Sequence, residues 1–222
     1  MNTPLRTLRK LGWGALLPLA ILALLLLVFA LPATRRAVLR SAGWALVKLD
    51  PPTPADIIVI ANYAGGGGAL EAADLVRAHI ARRVVVFLHP PDAIEREFVR
   101  RGARYLDPNT VAVQQLHELG IQDVEQIPWP VSGSTDEGKV LRRWCHERGI
   151  RSVVFISTSD HSRRAHRIME RTLGSEGIRY TIRYSHYGEF NPDSWWLDRG
   201  AARIEVMESQ KLLLDYLQHP LS

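Results

Sequence analysis

The chain has 222 residues, room for one ordinary domain and an appendage. Its 46% hydrophobic content excludes a largely disordered chain. Its single cysteine, Cys145, excludes an internal disulfide and a zinc cluster built on thiolates. The net charge of +5 does not mark a nucleic-acid partner. Up to Asp50, seven Lys and Arg residues stand against that one acid, so the excess lies beside a hydrophobic segment and suits a membrane surface.

Leu11 to Leu31 carries no charge, is dominated by leucine and alanine, and has about the 20 residues needed to cross a bilayer. Trp13 sits near one end, as in an aromatic belt. A cleavable signal peptide is the rival reading, but the apolar core is long for one, and Leu31-Pro-Ala-Thr-Arg-Arg looks like a flank rather than a processing site. Residues 1–34 therefore read as a tail and a retained anchor in the lipid bilayer. Arginines flank both ends, so charge gives no orientation. Residues 35–54 read as a connector, with an amphipathic stretch over Ala37–Leu49 and a linker marked by Pro51, Pro52 and Pro54.

From 55 to 222 strands and helices alternate. The pattern predicts buried strands at Asp56–Ala61 and Arg83–Leu88, a short one at Val124–Ile127, another at Val153–Ile156, and an alternating edge strand at Ile178–Tyr184. Helices are expected over Ala69–Ala81, Asp92–Arg101, Asn109–Leu119, Ser134–Arg148 and Trp195–Leu217, with one more after the fourth strand. Such alternation argues for a Rossmann-like α/β three-layer sandwich around a mostly parallel five-stranded sheet, preceded by one transmembrane helix.

Three stretches carry candidate chemistry. Asn62 and the glycines Gly65, Gly66 and Gly67 (with Gly68) follow the first strand, where a phosphate-cradling loop would lie; a flexible turn explains them equally well. The dinucleotide and Walker fingerprints both fail there. Ser134 and Glu137 have capping-box spacing, yet Ser132, Ser134 and Thr135 also place hydroxyls at a helix start. Thr158, Ser159 and Asp160 lead from the fourth strand into a helix that carries His161 and Arg164 in its first turn. His161 suits proton transfer, biased toward its neutral form by the helix dipole, and Arg164 suits an anion clamp. The alternative is a solvated basic helix. Glu208 and Lys211 have the spacing of a helix salt bridge. The remaining histidines show no metal-ligand spacing, and no carboxylate cluster for metal is visible.

On these motifs the chain resembles the YdcF/SanA/ElyC family of bacterial envelope proteins. The shared features are the strand opening at Asp56, Ser-x-Ser-Thr-x-Glu from Ser132 to Glu137, and Thr158-Ser-x-His161-x-x-Arg164-Ala165. Trp195-Trp196-x-x-x-Gly200 and Glu208-x-x-Lys211-Leu-Leu also match. The resemblance implies a Rossmann-like domain on a single inner-membrane anchor, usually on the periplasmic side. It also implies a role in peptidoglycan or lipid-carrier metabolism. One member type is cytosolic and associated with S-adenosylmethionine. No settled reaction and no cofactor come with the family. The chain departs from the pattern at Glu71, where members carry an arginine nearby, and at His89-Pro90-Pro91, where they show Ser-Gly-Gly. The combined expectation is a ligand that is an anionic small molecule or a lipid-linked phosphate. It would be held by Arg164, Thr158, Ser159, Ser134, Thr135, Asn62, Glu208 and the Gly65–Gly67 amides, with His161 catalytic if there is turnover. Hydrolysis or transfer at a phosphoryl group is the reaction expected of such a site; a non-catalytic binding or assembly factor is the alternative, and a nucleotide or S-adenosylmethionine binder is a further one.

Overall fold

The computed structural model describes residues 13–220. It divides into two compact units, Met1–Ala42 and Gly43–Ser222.

In the first unit, α1 (Trp13–Ala30) is apolar; Pro32, whose fixed φ and missing N–H fit a first turn, opens α2 (Pro32–Ala45), whose last residues belong to the second unit. Leu11 and Gly12, the start of the expected anchor, lie outside the described residues, as does the rest of the tail up to residue 10. Among the described residues no helix is long and apolar enough to cross a membrane.

The second unit is a five-stranded, all-parallel sheet in the order β3-β2-β1-β4-β5. The strands are β1 (Ile57–Ile60), β2 (Arg83–Leu88), β3 (Val124–Pro130), β4 (Ser152–Ser157) and β5 (Arg179–Tyr184). The helices are α3 (Gly65–Arg77), α4 (Ala93–Arg100), α5 (Pro108–Glu118), α6 (Ser134–Arg148), α7 (Ser162–Thr172) and α8 (Arg199–Gln218). The α/β, Rossmann-like architecture follows from the sequence pattern. β1 and β4, central and wholly apolar apart from serines at the ends of β4, are buried on both faces, as continuous hydrophobic runs require. α3 packs on α5 and α6 on α7.

The chain runs outward from β1 through β2 to β3, then returns to β4 on the other side of β1. The carboxyl ends of β1 and β4 therefore flank a topological switch point, where open α/β sheets leave a crevice.

Several boundaries differ from the sequence expectation; β3, for one, runs on to Pro130, and three other differences bear on packing. The four glycines form the first turn of α3 instead of a loop before it. A Cβ on Gly68 would meet Ile60 Cγ2 at 2.7 Å and Ala64 Cβ at 2.8 Å, and one on Gly67 would meet Ser185 Oγ at 2.9 Å. These glycines let the helix press against β1 and the loop after β5. α3 also stops four residues before Ala81, because His79 turns left-handed at φ 58° and its amide closes onto Val76. Trp195 is in a short 3₁₀ turn, and Asp198, accepting from the Ala201 amide, starts α8 afresh.

The stretch read as connector is partly integral to the second unit. Leu46 and Val47 are buried, Ser162 Oγ accepts from the Lys48 amide at 2.7 Å, and Arg163 donates to the Ala45 and Val47 carbonyls.

Candidate functional site

Three elements bring polar side chains to the β1–β4 switch point. The first is the start of α6. Gly133 holds the N-cap position without any side-chain cap, Ser134 is the first helical residue, and the capping box does not form. The Glu137 amide bonds to the Gly133 carbonyl, so the earlier amides of Thr135 and Asp136 have no hydrogen-bond partner among the described residues. Freed from capping, the Ser134 hydroxyl turns to His161: Oγ lies 3.0 Å from Nε2.

The second element is the 3₁₀ turn Ser159–His161 between β4 and α7. Ser159 Oγ donates to the Phe190 carbonyl at 3.1 Å and Ser162 Oγ to the Ser159 carbonyl at 2.8 Å; both seryl groups are buried. They lock the turn and leave His161, 6% exposed, at its end.

The third element is α8, which presents Glu208. Its Oε2 stands 2.9 Å from His161 Nδ1 and 3.2 Å from the nearer Arg164 guanidinium nitrogen, while Oε1 accepts from Lys211 Nζ at 2.7 Å. The Glu208 contact fixes the tautomer: Nδ1 carries the proton and donates to the carboxylate, leaving the Nε2 lone pair to accept from Ser134 O–H. The 3.1 Å approach of Arg164 to Nδ1 is therefore a crowding of two donors around one carboxylate rather than a bond between them.

The electrostatics agree with this assignment. Burial lowers the His161 pKa, the Glu208 carboxylate opposes the fall, and the Arg164 charge adds to it, so the imidazole is neutral at physiological pH. Burial would raise the Glu208 carboxyl, but His161, Lys211 and Arg164 bring it down to about 2, so it stays ionised.

A cleft of about 750 Å³ opens over this group, lined by Tyr63, Ser134, Thr158, Arg164, Phe190 and Ile204 among others. Tyr63, from the turn after β1, tilts against the imidazole with ring centroids 4.2 Å apart, and its hydroxyl hydrogen-bonds Ser157 Oγ at 3.1 Å. Donor atoms of Asp160, His161 and Glu208 lie within 4.8 Å of one another, the one such three-ligand group among the described residues. Arg164 and Lys211 already neutralise Glu208 there, and two fixed cations oppose a divalent ion.

Of the residues expected at a site, Ser134, His161, Arg164, Thr158 and Glu208 come together. Thr135 is exposed at the adjoining helix start. Ser159 is one residue from the group but spends its hydroxyl on Phe190. Gly65, Gly66 and Gly67 do not line the cleft; Gly66 borders a separate groove with Leu70 and Gln115. Asn62 turns its side chain away, bonding His89 Nδ1 at 2.6 Å and accepting from Asn109 at 2.6 Å. Glu71 is buried against Arg183 and His186, and His89 bonds the Asn62 side chain. Tyr63 and Glu137 were not foreseen as site residues. Tyr63 carried no signal beyond its place after a buried strand, and the spacing of Glu137 pointed to a cap.

No family model matches the chain, and no curated protein matches it. Among solved structures, the reductase domain of an aureusimine biosynthetic cluster is similar over 66% of this chain and 54% of that one, at 9% identity and a TM-score of 0.32. The chain thus spans about half the length of that domain, and the likeness is too slight to bear on function.

Proposed function

We propose that this chain is a membrane-anchored bacterial envelope protein. Its α/β domain acts as a serine hydrolase or transferase on an anionic ester of envelope or lipid-carrier metabolism, with phosphoesters first among the candidates. The observation that carries the reading is the continuous relay Ser134 Oγ–His161 Nε2 at 3.0 Å and His161 Nδ1–Glu208 Oε2 at 2.9 Å. In the reaction Ser134 attacks the substrate phosphorus or carbonyl carbon while His161 takes the hydroxyl proton. Glu208 stabilises the resulting imidazolium, and the Thr135 and Asp136 amides receive the developing negative charge. His161 then returns the proton to the leaving oxygen, and water or an acceptor alcohol resolves the seryl intermediate by the same base.

Anchoring through Leu11–Leu31 and a periplasmic domain belong to the same proposal. Their support is the charge-free run and the family resemblance.

Turnover of p-nitrophenyl phosphate and p-nitrophenyl acetate by the full chain tests the chemistry. The expected result is hydrolysis of at least one ester that is abolished in Ser134→Ala and in His161→Ala. Equal rates in the wild type and both variants would remove the reading.

A non-catalytic binding or assembly role is the second reading. The observation favouring it is that Arg164 and Lys211 both grip Glu208, as in an ion cluster whose task is to tie α7 to α8. It predicts ligand-dependent thermal stabilisation without turnover.

A further inference from the structure

We propose that Glu137 is a positioning residue that holds the turn after β1, so that Tyr63 lies against the His161 imidazole. The inference rests on His161 being the base that serves Ser134. Glu137 is one helical turn beyond Ser134 on α6 and is 1% exposed. Its Oε1 accepts from the Asn62 amide at 2.7 Å, and its Oε2 has no partner among the described residues. Burying a carboxyl for a single bond is costly. The helix does not need it as a cap, since no reciprocal capping bond exists at Gly133. What it secures is Asn62. That residue is gripped at three points: its amide by Glu137, and its side chain by His89 and by Asn109. The next residue is Tyr63, whose hydroxyl is tied to Ser157 and whose ring covers the imidazole. The chain of contacts thus runs from Glu137 to the face of His161 through one turn of backbone. A ring fixed there keeps water off the imidazole and holds Nε2 toward Ser134.

The charged and titratable groups facing Glu137 are Tyr63 on that turn and Arg164 on α7. Burial raises the Glu137 carboxyl to about 7, with the Asn62 amide and Arg164 opposing the rise. An ionised carboxylate is the stronger acceptor. The hold on Asn62 therefore tightens as pH rises through about 7.

The test uses the full chain in detergent and compares wild type, Glu137→Gln and Glu137→Ala in two measurements. One is the NMR resonances of the Asn62 amide and the His161 ring; the other is the rate at which a fluorophosphonate modifies Ser134. The Asn62 amide is expected to titrate near pH 7 in the wild type and to be flat in Glu137→Gln. The ring-current shift of His161 is expected to persist in Gln and to vanish in Ala. Modification should slow about tenfold in Ala and stay within about twofold of wild type in Gln. Tyr63→Leu, which leaves Glu137 in place, should reproduce the loss of ring-current shift should the alanine variant not fold. A His161 resonance unchanged by Glu137→Ala, or an Asn62 amide resonance unchanged by that substitution, overturns the proposal. A wild type that is never modified, with the shift still lost in Ala, keeps the positioning role and removes the nucleophile.

Discussion

Ser134 and His161 lie 27 residues apart in sequence, yet Ser134 Oγ approaches His161 Nε2 to 3.0 Å. The contact exists because α6 is the crossover that carries the chain from β3 past β2 and β1 to β4, and it packs on α7, so residues at the starts of the two helices meet at the sheet edge.

Removing Glu208 should damage both rate and stability. Glu208→Ala leaves His161 without its orienting acceptor and Arg164 without its buried partner. A loss of about 3 to 5 kcal/mol is expected by urea denaturation. Glu208→Gln keeps a hydrogen-bond acceptor of the same shape but no charge. Its stability should fall less, while its turnover drops by roughly a hundredfold or more, since the imidazolium is no longer stabilised.

The pH profile of turnover should rise with pH and then level. His161 must be neutral to accept the serine proton, and burial lowers its pKa from 6.5, so the acid limb lies below that value. The same shift has a stability consequence. The unfolded chain binds a proton at this histidine more readily than the folded one, so stability declines as pH falls through 6.5 toward the lowered folded value. Glu208, held at about 2, adds a further loss between roughly pH 4.5 and 2. A profile whose acid limb lies above pH 6.5 would contradict the assignment.

Glu137 has the opposite sign. Its carboxyl is raised to about 7 by burial, so the folded state binds the proton more tightly than the unfolded state. Stability from this group is present below about pH 4.5 and lost as pH rises to 7, a change on the order of 3 kcal/mol. Glu137→Gln has nothing to ionise. Its melting temperature should gain on that of the wild type as the buffer is moved from pH 4.5 to pH 8, and a constant difference would disprove the shift.

The glycines offer a test of packing against ligand binding. Gly68→Ala should cost about 1 to 3 kcal/mol, because the new methyl meets Ile60 and Ala64 well inside contact distance. Gly66→Ala, with only the Gln115 amide nearby at 3.4 Å, should be close to neutral. A phosphate loop would predict the reverse order in a ligand-binding assay, with Gly66→Ala the more harmful.

The fold was legible because buried parallel strands leave a plain record: Ile57–Ile60, Val84–Phe87 and Val153–Ile156 are unbroken apolar runs, and the polar residues that follow each mark the sheet edge. His161 and Arg164 could be placed at that edge from the strand–turn–helix pattern alone. The relay was not legible, because its members come from three elements, and nothing local says that the face of α8 bearing Glu208 turns to α7. Ser134 and Glu137 read as a capping box, since the spacing that serves a cap also serves a helix start whose hydroxyl and acid point elsewhere. The glycine run misled for a related reason. Gly67 is required by Ser185, a partner distant in sequence, and Gly68 by Ile60 of the buried strand and by Ala64 at the helix N-cap.

The most direct measurement is peptide mapping by mass spectrometry after treating the folded full chain with a fluorophosphonate, alongside His161→Ala. A serine activated by the His161–Glu208 pair predicts one adduct, on Ser134, forming roughly a thousandfold more slowly in the variant. An unmodified Ser134 in the folded wild type, or equal rates in the two proteins, would contradict it.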